Sequence, residues 1–134
     1  MARMGPPIGM EWKGTPKAVC APSMIELVWA AGFLEGEGCF KRVRVKARPR
    51  KDGTSKTPYF SQSVDGAQIG VECLLRLQRM FGGKILKSSN KYKERTWTVD
   101  HWQVYGSRAR GVMMTLYKLL STKRQAQVRA ALEV

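Results

Sequence analysis

Apolar residues occupy nearly every side of the stretch from Met24 to Glu35, and Ser23 and Glu26 stand ahead of it at capping-box spacing. A serine that accepts from an early backbone N–H, answered by a glutamate that accepts from the cap, opens a helix, so this run predicts the first one. From Cys39 to Arg48 the period falls to two, with Val43, Val45 and Ala47 alternating with Arg42, Arg44, Lys46 and Arg48. That predicts a strand whose valine face lies on a core and whose other face is cationic. Residues 49 to 58 hold Pro49, Asp52, Gly53, Ser55 and Pro58 with no period, a hairpin loop leading to a second strand from about Tyr59. Helical spacing returns from Val71 to Phe81, where Cys73, Leu74, Leu77, Met80 and Phe81 form one stripe and Gly82 and Gly83 supply the stop. Lys84 to Lys87 and Thr96 to Tyr105 read as two more strands about a turn at Ser88 to Lys91. A third helix follows from Arg108 to Leu120, and a last one runs from Ser121 or Thr122 toward Leu132. The order α-β-β-α-β-β-α-α predicts an α+β fold, one antiparallel sheet with helices on one face and the other face open.

Residues 1 to 22 carry four prolines and three glycines without any period, so they read as a flexible arm before a single domain spanning 23 to 134. A chain of 134 residues with 43% hydrophobic content suits one core. Cys20, Cys39 and Cys73 are too widely spaced for a metal clamp and too few for a disulfide framework, which suits packing residues in a reducing compartment. No apolar run approaches the roughly 18 residues of a membrane span and no signal-type segment opens the chain, so a cytoplasmic or other intracellular location is expected. Charge narrows the partner: 24 Lys and Arg against 10 Asp and Glu leave a formal net charge of +14, the footprint of a protein that binds a polyanion, nucleic acid first.

Candidate chemistry gathers where the first helix ends. Glycine inside a helix costs about 0.5–1 kcal/mol relative to alanine, so Gly32, with Gly36 a turn later, calls for an offset that a side chain would block. Val28, Gly32 and Gly36 share one face, and a second copy of this helix packed there about a two-fold axis supplies one. Glu35 and Glu37 place two carboxylates at the negative end of the helix dipole, where a divalent cation would reverse the sign of the interaction. A hard cation such as Mg2+ takes carboxylate oxygens and keeps water and phosphate as its other ligands, which suits phosphodiester hydrolysis.

The run Ala30-Ala31-Gly32-Phe33-Leu34-Glu35-Gly36-Glu37-Gly38 resembles the LAGLIDADG motif of homing endonucleases, with Glu at both acidic positions. The basic strand after it, Phe-Gly-Gly-Lys-Ile at Phe81 to Ile85 and Leu-Leu-Ser-Thr-Lys-Arg-Gln at Leu119 to Gln125 are similar too, so the resemblance spans about residues 23 to 132. It implies an αββαββα core whose saddle-shaped sheet straddles double-stranded DNA. It also implies a homodimer joined through the motif helices, cutting a pseudo-palindromic site with Mg2+ or Mn2+ and no small-molecule cofactor. By the same resemblance Glu37 is the metal ligand, beside the carbonyl of Gly36. Glu35 takes a capping role at an interface shared with Val28, Gly32 and Gly36. Lys123 stabilises charge on the phosphate, and Gln68, or else Gln62, orders water.

Residues 40 to 51 contain seven Lys or Arg and no acid, a self-repulsion that an anion offsets. A two-stranded ribbon fits the major groove, so Arg42, Arg44, Lys46, Arg48, Arg50 and Lys51 are expected on DNA. Tyr59, Ser61 and Ser63 from one face of the second strand, and Lys87, are expected there too. Phe60 and Val64 put the core on the second strand's other face. His101, the only histidine, lies beside Trp102 in a patterned strand and reads as structural. Three functions fit: a site-specific endonuclease, a non-cleaving DNA-binding regulator, and, through the resemblance, an intron RNA maturase. Both acids favour cleavage, because carboxylates facing phosphates serve a pure binder poorly.

Overall fold

A computed structural model describes residues 21–46, 51–53 and 57–133. The arm through Cys20, and Ala47, Arg48 and Arg50, lie outside the described residues. In chain order the elements are α1 (Met24–Glu37), β1 (Gly38–Val45), β2 (Tyr59–Gln68), α2 (Glu72–Phe81), β3 (Lys84–Tyr92), β4 (Arg95–Tyr105), α3 (Gly106–Leu116), a 3-10 turn (Tyr117–Leu119) and α4 (Thr122–Leu132). The strands form one antiparallel sheet in the order β1-β2-β4-β3.

Ser23 opens α1 as the capping box requires: its hydroxyl accepts from the Glu26 N–H at 3.2 Å, and its own N–H donates to Glu26 Oε1. From the sheet, Phe40, Val64, Trp102 and Val104 are buried against Leu34 of α1, Leu74 and Leu77 of α2, Met113 and Leu116 of α3, and Val128 of α4. Trp102 is fully buried, and its indole N–H donates to the Gly82 carbonyl at 2.8 Å, so the one polar atom of the ring keeps a partner.

No linker separates α1 from β1. The chain turns at Gly38, whose backbone lies so near the helix that an added Cβ would sit 2.6 Å from the Leu34 carbonyl oxygen and 2.9 Å from its Cα. Gly38→Ala is therefore expected to destabilise the fold by about 1–3 kcal/mol, measured as a lowered midpoint in urea, because rigid backbone has to shift. An unchanged midpoint would show that the junction yields freely.

The third helix starts at Gly106 and ends at Leu116 ahead of the 3-10 turn, short of the expected Leu120, and the β3–β4 turn also differs from the sequence pattern. Ser88 to Lys91 is not a turn: β3 continues to Tyr92, and the reversal falls at Lys93 and Glu94, with Lys93 at φ 53°. A two-residue hairpin needs a left-handed residue to match the strand twist, and here a lysine supplies it. The far end of this hairpin is solvated on both sides, so a polar stretch that reads as a turn is strand.

Candidate functional site

β1 and β2 pair without a bulge from Gly38 opposite Gly66 to Val45 opposite Tyr59. Opposed residues share a face, and the pair Phe40–Val64 lies in the core, which fixes the phase of both strands. Arg42, opposite the buried Gln62, and Arg44, opposite Phe60, therefore point to the helix side. Gln62 confirms this, donating to the Ala131 carbonyl of α4 at 3.1 Å and accepting from Arg110 of α3 at 2.9 Å, while Arg42 stacks 3.8 Å from the Phe60 ring centroid. Val43 and Val45 face the open side.

The expectation that Arg42 and Arg44 line the open face while the valines enter the core is thus inverted. The physical reason is that beyond Phe40 the helix-side positions of β1 are the long side chains of Arg42 and Arg44, which reach solvent, so the alternation no longer reports burial. Both valines are half-buried and both arginines exposed. Lys46 follows the end of β1 and is exposed, as is Lys51 in a turn; Arg48 and Arg50 lie outside the described residues. Lys87 is likewise moved: it sits opposite Asp100 on the face that Ile85 and Trp102 share, toward the helices.

The open face is built in rows across the sheet. Cys39, Asp65, Gln103 and Lys84 stand in one row, Lys41, Ser63 and Tyr105 in the next, and Ala67, His101 and Leu86 on the other side. Tyr59 and Ser61 continue this face outward, whereas Ser63, expected on DNA, is fully buried under its neighbours with its hydroxyl on Asp65 and serves the fold. Lys41 Nζ meets Asp65 Oδ2 at 2.7 Å, the Ser63 hydroxyl donates to Asp65 Oδ1 at 3.2 Å, and the Tyr105 hydroxyl donates to Gln103 Oε1 at 2.9 Å. The Asp65 hydrogen bond raises the Lys41 pKa against the opposing effect of burial, with the Asp65 charge adding to it. His101 Nε2 lies 2.8 Å from the Ser88 hydroxyl, which puts the single histidine on the open face and not in the core. Sequence reasoning missed Lys41, Asp65, Gln103 and Tyr105 as open-face residues. Counting in twos from Phe40 was the available signal for the first.

At the end of α1 the two glutamates part company. The Glu35 carboxylate accepts from the N–H and the hydroxyl of Ser121, each at 2.7 Å, and so caps the N-terminus of α4. In return Arg124 donates through Nε and Nη2 to the Glu35 carbonyl at 3.1 and 2.9 Å, closing the C-terminal end of α1. The dipole conflict that the sequence raises at Glu35 is relieved inside the chain, with no cation required. Glu37 is exposed, and among the described residues no hydrogen bond or ion pair engages its carboxylate. Lys123, exposed in the first turn of α4, lies near enough that its charge favours ionised Glu35. Gln68 ends β2 opposite Asp100, two residues past the partner of Gly38. Among the described residues no group of three or more His, Cys, Asp or Glu gathers to hold a metal.

The Glu35 pKa is lowered, first by the Ser121 N–H, then by its hydroxyl, with Arg124 and Lys123 adding their charge. A carboxylate whose pKa falls on folding stabilises the native state above its unfolded value, and that contribution is lost as pH drops through the folded one. Glu35→Gln should therefore melt below wild type at neutral pH, with the gap closing below about pH 4. A gap that stays constant from pH 7 to pH 3 would rule out the charge as its source.

One side of α1 has no partner among the described residues. Ile25 and Val28 are 79% and 53% exposed, and a Cβ added at Gly32 or Gly36 would meet nothing within 4 Å. Among the described residues, the cost of these two glycines has no compensation inside a single copy.

Solved structures share this fold. The homing endonuclease I-CvuI in complex with its target matches with a TM-score of 0.54 at 21% identity, over 78% of this chain and 62% of that one. The group I intron-encoded homing endonuclease I-CeuI complexed with DNA matches with a TM-score of 0.52 at 17% identity, over 80% of this chain and 52% of that one. For the homing endonuclease I-TnaI the TM-score is 0.50 at 18% identity, over 82% of this chain and 69% of that one. This chain has the LAGLIDADG homing endonuclease fold, and it spans less than two thirds of the I-CvuI and I-CeuI chains. No protein-family model and no curated protein matches the sequence.

Proposed function

We propose that this chain is a site-specific DNA endonuclease of the homing type, a homodimer that binds double-stranded DNA across its open sheet face and hydrolyses one phosphodiester on each strand. The observation that carries the reading is the unengaged Glu37 carboxylate at the end of a helix whose glycine face is bare. Packing two copies through Val28, Gly32 and Gly36 brings two such carboxylates to the dimer axis, at the centre of a two-fold DNA site. The fold shared with DNA complexes of I-CvuI and I-CeuI, and the net charge of +14, support the same partner.

The donor set fits a hard divalent cation. Each copy offers the Glu37 carboxylate and the adjacent Gly36 carbonyl, and DNA phosphate and water complete the ligands that Mg2+ or Mn2+ prefers. Such an ion, when bound, supplies a more acidic water and offsets charge on the phosphate. I-CvuI complexes in the presence of 2 mM Ca and of 2 mM Mg accord with that choice. Lys123 donates to a phosphate oxygen as charge develops there, and Gln68 orients water. Gln62 is held by Ala131 and Arg110 and stays structural. Among the described residues no helix is long and apolar enough to cross a membrane.

Incubation with a randomised duplex library and Mg2+ tests the proposal, scored by sequencing cut ends. Paired ends that share a two-fold-related consensus are expected. Selective binding without cutting in either Mg2+ or Mn2+ would make the chain a regulator on this scaffold, and preference for structured intron RNA over every duplex would make it a maturase.

A further inference from the structure

The open face carries an acid where DNA would lie. Asp65 is 17% exposed in its side chain, held by Lys41 on one oxygen and Ser63 on the other, and flanked in its row by Cys39 and Gln103. A carboxylate turned toward phosphates weakens binding to every sequence alike, since DNA attraction for this chain is electrostatic. The Lys41 charge offsets that penalty in the free chain, and the carboxylate contributes favourably to binding where it also meets a donor on a base edge. In the major groove the exposed donors are the amino groups of cytosine and adenine, and cytosine N4 is the usual partner of an acidic side chain.

From this geometry we infer that Asp65 and Lys41 together read one G·C base pair, in one orientation, in each half-site. A G·C pair sets the O6 and N7 acceptors of guanine beside the N4 donor of cytosine. Lys41 and Asp65 set a donor beside an acceptor 2.7 Å apart on adjacent strands, the complementary pattern. The Ser63 hydroxyl fixes one carboxylate oxygen, so little freedom remains to be lost on docking. Lys41 is half-exposed and can turn from Asp65 toward guanine without disturbing the core, since Phe40 beside it points the other way. The two charges cancel, so the pair adds little to non-specific attraction and its effect on binding is selective. Arg42 and Arg44 lie on the opposite side of the sheet and do not take this role.

The inference rests on the proposed endonuclease reading. Its test uses the full chain and the site that wild type selects from a duplex library. Affinities for all single-base-pair variants of that site are measured at two salt concentrations for wild type, Asp65→Asn and Lys41→Met, with thermal unfolding of each. Asp65→Asn should lose roughly tenfold discrimination at one G·C pair per half-site and bind unrelated duplex at least as tightly as wild type. Lys41→Met should relax the same base pair, and because Lys41 is half-exposed this variant keeps the question open to measurement if Asn at 65 unfolds the chain. An Asp65→Asn profile identical to wild type overturns the inference. So does a Lys41→Met variant that weakens all sequences equally and flattens the salt dependence by about 0.9 per contact, which marks a phosphate contact. Wild type with no sequence preference at all overturns the endonuclease reading, and this inference with it.

Discussion

Glu37→Gln is expected to abolish cleavage while leaving DNA affinity within roughly tenfold of wild type, because it withdraws a metal ligand and no phosphate donor. The amide keeps the size of the carboxylate, and among the described residues no partner depends on its charge. Glu35→Gln gives the contrast: it unties Ser121 and lowers stability, and any loss of cutting should follow the fraction folded. Cleavage and binding by the two variants, at a temperature where both are folded, separate a ligand from a strut. Full cutting by Glu37→Gln would end the metal assignment.

Gly32→Leu is expected to turn the proposed dimer into a stable, inactive monomer. Among the described residues nothing lies within 4 Å of an added Cβ at Gly32, and leucine favours a helix over glycine by about 0.8 kcal/mol, so the isolated fold should hold or gain. Between two copies, however, a leucine at the point of closest approach forces the helix axes apart. Sedimentation should halve the mass, and the melting temperature should cease to depend on protein concentration. A dimer of unchanged mass would place the interface elsewhere.

Much of the fold is legible because its signals are local. Ser23 and Glu26 lie within one turn of each other, and the α2 stripe ends at Gly82 and Gly83, both at positive φ. The orientation of β1 is not local. Phe40 sets its phase, and the alternation of Arg42, Val43, Arg44 and Val45 imitates a buried strand with the wrong side inward. The partner of Glu35 is equally hidden, since Ser121 lies 86 residues away and only the packed fold brings α4 to the end of α1. His101 reads from sequence as a structural residue, packed or exposed, and the strand register settles which: it lies on the open side, bonded to Ser88.

The exchange between Glu35, Ser121 and Arg124 also changes what the end of α1 is able to do. Helix ends ordinarily fray, and a ligand on a fraying turn has to be immobilised each time it binds. Here the last turn of α1 is clamped from outside, its carbonyl by the Arg124 guanidinium and its carboxylate by the first turn of α4. Gln62 in turn ties the far end of α4 to the sheet through Ala131. The backbone under Glu37 is thus braced through α4, whose first turn holds the end of α1 and whose last turn is tied to the sheet, so the entropy of fixing this turn is spent within the fold while the Glu37 side chain itself stays unengaged among the described residues.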